Sequence, residues 1–424
     1  MHPFIETLVE ETFDIIERSQ KNIPREFKFP EADNMIKVAI GMRRSGKSCF
    51  LYQTIQALLK NGVSYEQILL INFEDERLLP MNAKEMGELL DSFYTLYPQN
   101  HHRRCYFFLD EVHTVDNWQQ VIRRVHDKKN IQLYLTGSSS KLLSSEIATS
   151  LRGRAISIEV WPYNFQEYIV AHELDIPPLP FGQKAFDHMH NHLLTFFNTG
   201  GFPGIQSMFP HDRRETLQSY IDTVVLRDVV ERHHVEKISL LKYLINSLIC
   251  NAASLFSVHK FYNDIRSQGF KVSKDTIYSY IQYIEEAYLI FTVSQFSESV
   301  RLRQNAPKKI YVIDNGLIHA VSLKTNALYG KLLENQVYLD CRREGKKVFY
   351  YTTSDGYEID FVTEDKEGNK ELLQVVWDVS DEHTLLREQR ALDQACKELK
   401  LPGRIISLND YLKAQQKNKY SHLT

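Results

Sequence analysis

The residues best equipped for chemistry lie between Gly41 and Ser48, in the segment GMRRSGKS. This segment matches the pattern GxxxxGK[ST], in which backbone N–H groups surround phosphate oxygens, a lysine neutralises the phosphates and a hydroxyl binds Mg²⁺. Lys47 and Ser48 hold the last two positions. A strand-like run (MIKVAI) precedes the segment and a helical pattern follows it, which disfavours a chance glycine-rich turn. The sequence therefore predicts a site for ATP and Mg²⁺, with further contacts from Arg43, Arg44, Ser45, Gly46 and Cys49.

A second chemical feature is the acidic pair Asp110 and Glu111, which ends the apolar run CYFFL. An acid at the carboxyl end of a strand beside a phosphate loop can bind Mg²⁺, and the next carboxylate can orient and deprotonate a water. We expect Asp110 to bind the metal together with Ser48, and Glu111 to act as general base. An exposed helix-capping pair is the alternative. Glu111 favours hydrolysis over binding alone.

Polar and basic residues farther along extend the predicted site. Ser138, Ser139 and Ser140 follow the strand-like run IQLYLTG, and Ser138 is our candidate for sensing the γ-phosphate, although an N-cap role explains the same residues. Arg152 and Arg154 precede the run AISIEV. Either arginine could act in trans on a neighbouring chain's nucleotide, or could pair with surface acids.

The composition limits the classes of protein that can position these residues. The chain has 424 residues and a formal net charge of -3, so it can hold several domains and has no overall attraction for nucleic acid or membrane. The five cysteines are scattered without CxxC pairs, which favours a reducing cytoplasm. We expect a cytoplasmic protein without a membrane partner, since the first twenty residues predict an amphipathic helix and not a signal peptide.

Hydrophobic periodicity predicts the elements around the site. Between about Asn34 and Val160, short apolar runs alternate with helical patterns, which predicts an α/β fold with a parallel sheet. The segment to about Ile238 is mostly helical. Three helices then precede a β-rich segment, and Ser273 begins a candidate recognition helix of a helix-turn-helix or winged helix. A mixed α/β pattern ends the chain.

Taken together, GMRRSGKS, FFLDEVHTVDNWQQVIRRV, LTGSSSKLLSSEIATSLRGRAISIEV and NTGGFPG resemble the AAA-type ATPases of bacteria and archaea that carry a degenerate endonuclease-like C-terminal domain. The resemblance runs over nearly the whole chain. It implies a P-loop NTPase core, a helical lid, a winged helix and a small restriction-endonuclease-like domain. It also implies an adenine contact at Gly201-Phe202-Pro203, where an ordinary turn explains the sequence equally well. The predicted boundaries are 1–33 for an N-terminal helix, 34–162 for the core, 163–238 for the lid, 239–305 for the winged helix and 306–424 for the terminal domain.

The resemblance also assigns metal-ligand positions in the terminal domain to Glu334, Asp360 and Gln374, and places Val376 where such folds have a catalytic lysine. A neutral amide is a poorer Mg²⁺ ligand than a carboxylate, and valine can neither activate water nor stabilise the transition state. We therefore expect a non-catalytic domain that binds nucleic acid or protein. Two nearby acids that could restore a ligand are Glu358 and Glu371.

Basic residues near the predicted winged helix and terminal domain make DNA a candidate partner, and a protein partner and a homo-oligomer are alternatives. The basic residues are Lys271, Lys274, Arg301, Arg303, Lys308, Lys309, Arg342, Arg343, Lys346 and Lys347, and Tyr278, Tyr280 and Tyr283 accompany them. Solvated faces and core packing explain such residues as well.

Three functions fit the sequence. The first is Mg²⁺-dependent ATP hydrolysis coupled to a conformational change that acts on a nucleic-acid or protein partner. The second is a nucleotide-gated binding switch with slow hydrolysis. The third, which the loss of the lysine disfavours, is an ATP-regulated nuclease.

Overall fold

The computed structural model describes residues 2–32, 34–128, 130–137, 151, 153–177, 182–322, 329–378 and 381–420. Two compact units divide the chain, Met1–Trp161 and Pro162–Thr424. No helix in the described part of the chain is long and apolar enough to cross a membrane.

The first unit alternates helices and strands. Its elements are α1 (Ile5–Ser19), β1 (Ile36–Ile40), α2 (Lys47–Lys60), β2 (Ile68–Asn72), α3 (Ala83–Leu96), β3 (Cys105–Asp110), α4 (Trp118–Lys128), β4 (Ile131–Gly137) and β5 (Ala155–Glu159). Short 3₁₀ helices at Tyr65–Gln67, Glu76–Leu78, Pro98–His102 and Val112–Thr114 join some of them.

The five strands form one parallel sheet in the order β2-β3-β4-β1-β5. This arrangement confirms the predicted parallel α/β sheet. The strands are apolar because helices cover the sheet, as parallel sheets require. Phe108 and Tyr134 stack on neighbouring strands with ring centroids 4.4 Å apart, inside a core that includes Phe50 of α2. Since β4 lies between β1 and β3, the carboxyl ends of these three strands meet at one edge.

The second unit begins with helices. These are α5 (Phe165–Ala171), α6 (Gln183–Thr199), a 3₁₀ turn at Pro203–Ile205, α7 (Pro210–Thr223) and a π-helical continuation at Val224–Glu231. Asn164 caps α5 in a reciprocal arrangement with Glu167, so the sequence NFQE starts that helix.

The next group combines three helices with a small antiparallel sheet. Its helices are α8 (Ile238–Cys250), α9 (Val258–Ser267) and α10 (Lys274–Glu286), and its strands are β6 (Ser254–Phe256), β7 (Ile290–Val293) and β8 (Lys308–Val312), with the short α11 (Val300–Asn305) between the last two. Strand β8 pairs with both β6 and β7. The sheet therefore crosses the boundary that the sequence places at 305.

The last group follows α12 (Asn315–Val321). Its elements are α13 (Tyr329–Arg343), β9 (Lys347–Thr352), β10 (Glu358–Glu364), β11 (Lys370–Val376), α14 (Glu382–Leu399), β12 (Gly403–Ser407) and α15 (Leu408–Tyr420). Its four-stranded sheet has the order β12-β11-β10-β9, and only the β11–β12 pair is parallel among these strands. An additional domain with its own sheet is thus present.

Candidate nucleotide-binding site

The phosphate loop connects the end of β1 to the start of α2. Gly46 has φ +100° and is the last residue before the helix, a conformation that residues with a Cβ atom rarely adopt. Gly41 lies so close to Val160, the residue after β5, that a Cβ atom would stand 2.2 Å from its carbonyl oxygen. Both glycines of the motif are therefore required by backbone geometry, and α2 directs its N-terminal N–H groups into the loop.

Lys47 lies at the centre of this loop and is buried. Its ammonium donates hydrogen bonds of 3.2 Å to the carbonyl oxygens of Gly41 and Met42, and lies 3.6 Å from Glu111 Oε1. The hydroxyl of Ser45 is buried without a hydrogen-bond partner among the described residues. A cation and an unpaired donor in one loop fit the oxygen-rich phosphate chain of a nucleotide.

Asp110 ends β3 opposite the phosphate loop. Its carboxylate accepts hydrogen bonds from the hydroxyls of Ser48 and Thr136. Burial, together with the neighbouring charge of Glu111, raises the pKa of Asp110 above its usual range. A buried carboxylate next to a hydroxyl is a donor set that fits Mg²⁺. The structure thus brings together the two residues predicted to bind the metal.

Glu111 follows in the left-handed conformation, with φ 50° and ψ 42°. Burial alone would raise the pKa of this carboxylate, but the positive charge of Lys47, with smaller contributions from His113 and Arg43, outweighs it and the pKa lies below the usual value. Its Oε2 is 3.3 Å from His113 Nδ1. Glu111 is therefore ionised at neutral pH, as a general base must be before it accepts a proton.

Thr136 belongs to this site, although the sequence alone does not single it out. It is fully buried near the end of β4, donates its hydroxyl hydrogen to Asp110 and accepts a 2.9 Å hydrogen bond from the backbone N–H of Glu111. The structure thus places Thr136 between the phosphate loop and the acidic pair. The available signal was a polar residue inside the apolar run IQLYLTG. Ser138, our candidate for this place, lies outside the described residues.

The other predicted residues differ in how close they come to this site. Arg43 pairs with Glu74 at 2.9 Å on the loop, Arg44 is exposed, and Cys49 is half-buried in the first turn of α2. Arg154 pairs with Asp127. The backbone carbonyl of Arg154 accepts a hydrogen bond from the N–H of Ile36, the first residue of β1. The phosphate loop follows the last residue of β1, so Arg154 and the loop of its own chain lie at opposite ends of this strand. At 3.3 Å per residue, the strand separates them by ~16 Å. Arg152 lies outside the described residues.

Comparisons with known proteins identify the family. A family model described as an AAA domain matches residues 33–169, and a model of a domain of unknown function matches 190–328. An uncharacterized protein of Methanocaldococcus jannaschii is 36% identical over 93% of this chain and 87% of its own length. The chain belongs to the AAA family of P-loop ATPases. An uncharacterized protein of Haemophilus influenzae is 32% identical over 79% of this chain and 80% of its own.

Solved structures show a lower similarity to this chain. A Walker-type ATPase of Pyrococcus abyssi has a TM-score of 0.43 at 15% identity and covers 74% of this chain and 95% of its own. The ORC2 protein of Aeropyrum pernix has a TM-score of 0.40 at 13% identity and covers 78% of this chain and 93% of its own.

In this AAA-family chain, the Gly201-Phe202-Pro203 turn belongs to the second unit. The N–H of Gly201 donates a 2.6 Å hydrogen bond to Asp314, and its carbonyl accepts one of 2.6 Å from Tyr163. Phe202 is fully buried and contacts Tyr220, while Pro203 is half-buried at the start of a 3₁₀ turn. The glycine is fixed by packing, because a Cβ atom would lie 2.2 Å from the Tyr163 carbonyl oxygen.

The positions assigned to metal in the terminal domain converge in space. Glu334 of α13 and Asp360 of β10 both accept hydrogen bonds of 2.9 Å from the ammonium of Lys309. Gln374 of β11 accepts a hydrogen bond from the Asp360 N–H and donates one to Glu388, so its amide is used within the fold. Burial and the neighbouring charge of Asp360 raise the pKa of Glu334 to about 7.

Lys309 has an environment that the sequence does not predict. Its basic neighbours favour a contact with nucleic acid or a solvated face, whereas the structure buries Lys309 to 1% exposure. Nothing in the strand KKIYVID marks one lysine as buried, because its partners come from elements at least 25 residues away.

Proposed function

We propose that this chain hydrolyses ATP with Mg²⁺ and couples the reaction to a conformational change that acts on a partner. The observation that supports the proposal is the position of Glu111. An ionised carboxylate lies 3.6 Å from the phosphate-loop lysine and directly after the carboxylate expected to hold the metal. A protein that only binds nucleotide does not need the second acid.

Each residue of the site has a separate role in the proposed hydrolysis. The phosphate-loop N–H groups and Lys47 hold the β and γ phosphates, Ser48 and Asp110 hold Mg²⁺, and Glu111 orients a water and accepts its proton. Bound Mg²⁺ supplies charge stabilisation at the phosphate oxygens. When ATP binds, the ammonium of Lys47 contacts the phosphates instead of Glu111. The carboxylate of Glu111 is then available to bind water. Pro203 is proposed to contact adenine, and Arg154 to act on a neighbouring chain.

Partner binding is proposed at the group of α8, α9 and α10 with its three-stranded sheet, which we interpret as a winged helix. On α10, Lys274 and Tyr278 are exposed, whereas Tyr280 is buried and Tyr283 stacks on His233. The exposed face therefore has one aromatic ring beside basic charge from Lys271 and Lys274. A negatively charged partner such as duplex DNA fits this face better than a neutral one.

The test is the Glu111→Gln variant. We expect it to lower ATP turnover by about 100-fold or more, since general-base catalysis typically contributes ~10²–10⁴, while ATP affinity stays within about threefold. Glu88→Gln, at an exposed glutamate of α3, is the matched control and should retain full turnover. Unchanged turnover in Glu111→Gln would refute the assignment of the base.

The same assay addresses the partner. Duplex DNA should accelerate wild-type turnover, and Lys274→Glu should remove the acceleration without changing the basal rate. A basal rate that DNA does not accelerate would instead support a protein partner or a slow nucleotide-gated switch.

A further inference from the structure

The ammonium group of Lys309 lies at the centre of three carboxylates. Lys309 comes from β8 of the three-stranded sheet, and its Nζ is 2.9 Å from Glu334 Oε1, 2.7 Å from Glu358 Oε1 and 2.9 Å from Asp360 Oδ1. The side chain is 2% exposed, and those of Glu334 and Asp360 are 12% and 11% exposed. The three protons of the ammonium are therefore matched by three acceptors.

Burial of a lysine is costly unless its charge is paired and all its protons are bonded. The surrounding atoms meet both conditions and also fix the acids. Glu334 Oε1 accepts a further 2.7 Å hydrogen bond from Tyr311, and Asp360 Oδ2 accepts one of 2.9 Å from the Val375 N–H. The carboxylates are thus held in place around a single cation.

That cation occupies the point at which a divalent metal would contact the same oxygens. A metal ion would need the three oxygens at ~2.0–2.6 Å, so an ammonium at 2.7–2.9 Å and a metal ion cannot share the position. We propose that Lys309 is a built-in cation of the terminal domain, which excludes divalent metal from the carboxylate cluster and fastens β8 to α13 and β10.

A lysine that assists phosphodiester cleavage is the main alternative, since Val376 lacks the amine. Such a lysine must leave the carboxylates available to metal and must reach the substrate. Lys309 instead contacts all three carboxylates and is 2% exposed, and of the three acids Glu358, at 39%, has the most exposed side chain. The geometry favours a cation that closes the site.

The proposal is tested by counting Mn²⁺ bound to the full chain by electron paramagnetic resonance, without nucleotide. Wild type and Asp360→Asn should bind equal amounts, because neither offers a metal site in the terminal domain. Lys309→Met should bind one additional Mn²⁺ per chain, and Lys309→Met combined with Asp360→Asn should lose it. Any weak Mn²⁺ binding at the phosphate loop is common to all four proteins and cancels in the comparison.

Lys309→Met leaves three buried or partly buried acids without their cation, so we expect this variant to unfold more easily than wild type. Thermal unfolding with and without Mn²⁺ therefore serves as a second measurement of metal binding. By mass action, Mn²⁺ should raise the melting temperature of Lys309→Met by more than it raises that of wild type or of the double variant. The proposal is overturned if wild-type Mn²⁺ binding falls in Asp360→Asn, or if Lys309→Met gains no site. Cleavage of DNA by wild type with Mn²⁺ that Lys309→Met abolishes would also overturn it.

Discussion

Glu111 combines an unusual backbone conformation with a charged side chain. A left-handed conformation costs a residue with a Cβ atom roughly 1–2 kcal/mol, so neighbouring contacts must hold it. The Glu111 N–H donates to Thr136, and its carbonyl accepts a 3.0 Å hydrogen bond from the Thr114 hydroxyl. These bonds direct the carboxylate toward Lys47, which links the conformation to the chemistry proposed for it.

Thr136→Val tests this support. Valine has nearly the same shape but can neither donate to Asp110 nor accept from the Glu111 N–H. Because both partners are buried, we expect the free energy of unfolding to fall by about 1–3 kcal/mol. We also expect ATP turnover to fall by at least about tenfold, the equivalent of 1.4 kcal/mol in the barrier. Urea unfolding and steady-state turnover measure the two effects.

Thr136→Ser is the control, since it keeps the hydroxyl and removes a methyl group. It should retain most of the turnover that Thr136→Val loses. Equal turnover in the two variants would mean that the hydroxyl does not position the acids.

The predictable residues are those whose roles follow from adjacency in the chain. Lys47 and Ser48 stand in one motif, and Asp110 and Glu111 end one apolar run, so spacing alone assigns them. Thr136 and Lys309 act through partners from distant elements. Their roles depend on strand order and on which face of a strand is covered, and local spacing does not encode either.

At the scale of elements, hydrophobic periodicity predicts where strands and helices occur along the chain. It does not predict which strands pair with one another. The runs MIKVAI and CYFFLD become β1 and β3 because both are apolar and short. In contrast, β8 is separated from β7 by α11 and still completes the sheet of β6 and β7. A change of pattern near 305 suggests a boundary, and only the hydrogen bonds show that the sheet continues across it.

Asp314 joins two elements of the second unit and makes their stability depend on pH. It caps α12 and also accepts from the Gly201 N–H. Burial raises its pKa from 3.8 to about 6, so the folded state keeps a proton that the unfolded chain has lost. Its contribution to the free energy of unfolding therefore falls as the pH rises from about 4 to about 6.

Asp314→Asn removes this titration. The stability of wild type relative to the variant should be lower at pH 7 than at pH 4 by about 2 kcal/mol, which is most of the effect that this pKa shift allows at 1.36 kcal/mol per pKa unit. Urea unfolding of both proteins at both pH values measures this difference. Hydrogen exchange then shows which unfolding transition belongs to the unit Pro162–Thr424, which contains Asp314.

Asp381→Asn is the matched control at another helix cap, that of α14. Hydrogen bonds from Thr384 lower the pKa of Asp381, so its relative stability should change with pH in the opposite direction. A difference at Asp314 that does not depend on pH would contradict the proposed protonation.

At the scale of the whole molecule, a near-neutral net charge conceals an uneven distribution of charged side chains between the surface and the interior. The -3 balance includes a lysine that is buried among acids of the second unit and is not available to a nucleic acid. Basic residues near α10 remain exposed. The number of basic residues in the second half of the chain therefore overstates the charge that a partner meets, and composition alone cannot show this.

The role proposed for Arg154 requires a second copy of the chain. Its guanidinium is paired with Asp127, at the edge of the sheet away from its own phosphate loop, so it can reach a nucleotide only on another chain.

We expect wild type to form larger particles with a non-hydrolysable ATP analogue, and turnover per chain to rise with protein concentration. Arg154→Ala should bind ATP normally and lose that rise, because an arginine acting in trans stabilises charge on the transferring phosphoryl group. Light scattering and turnover over a range of concentrations measure both effects. Monomeric particles with concentration-independent turnover would instead assign Arg154 to its ion pair with Asp127, which as a surface contact contributes little to stability.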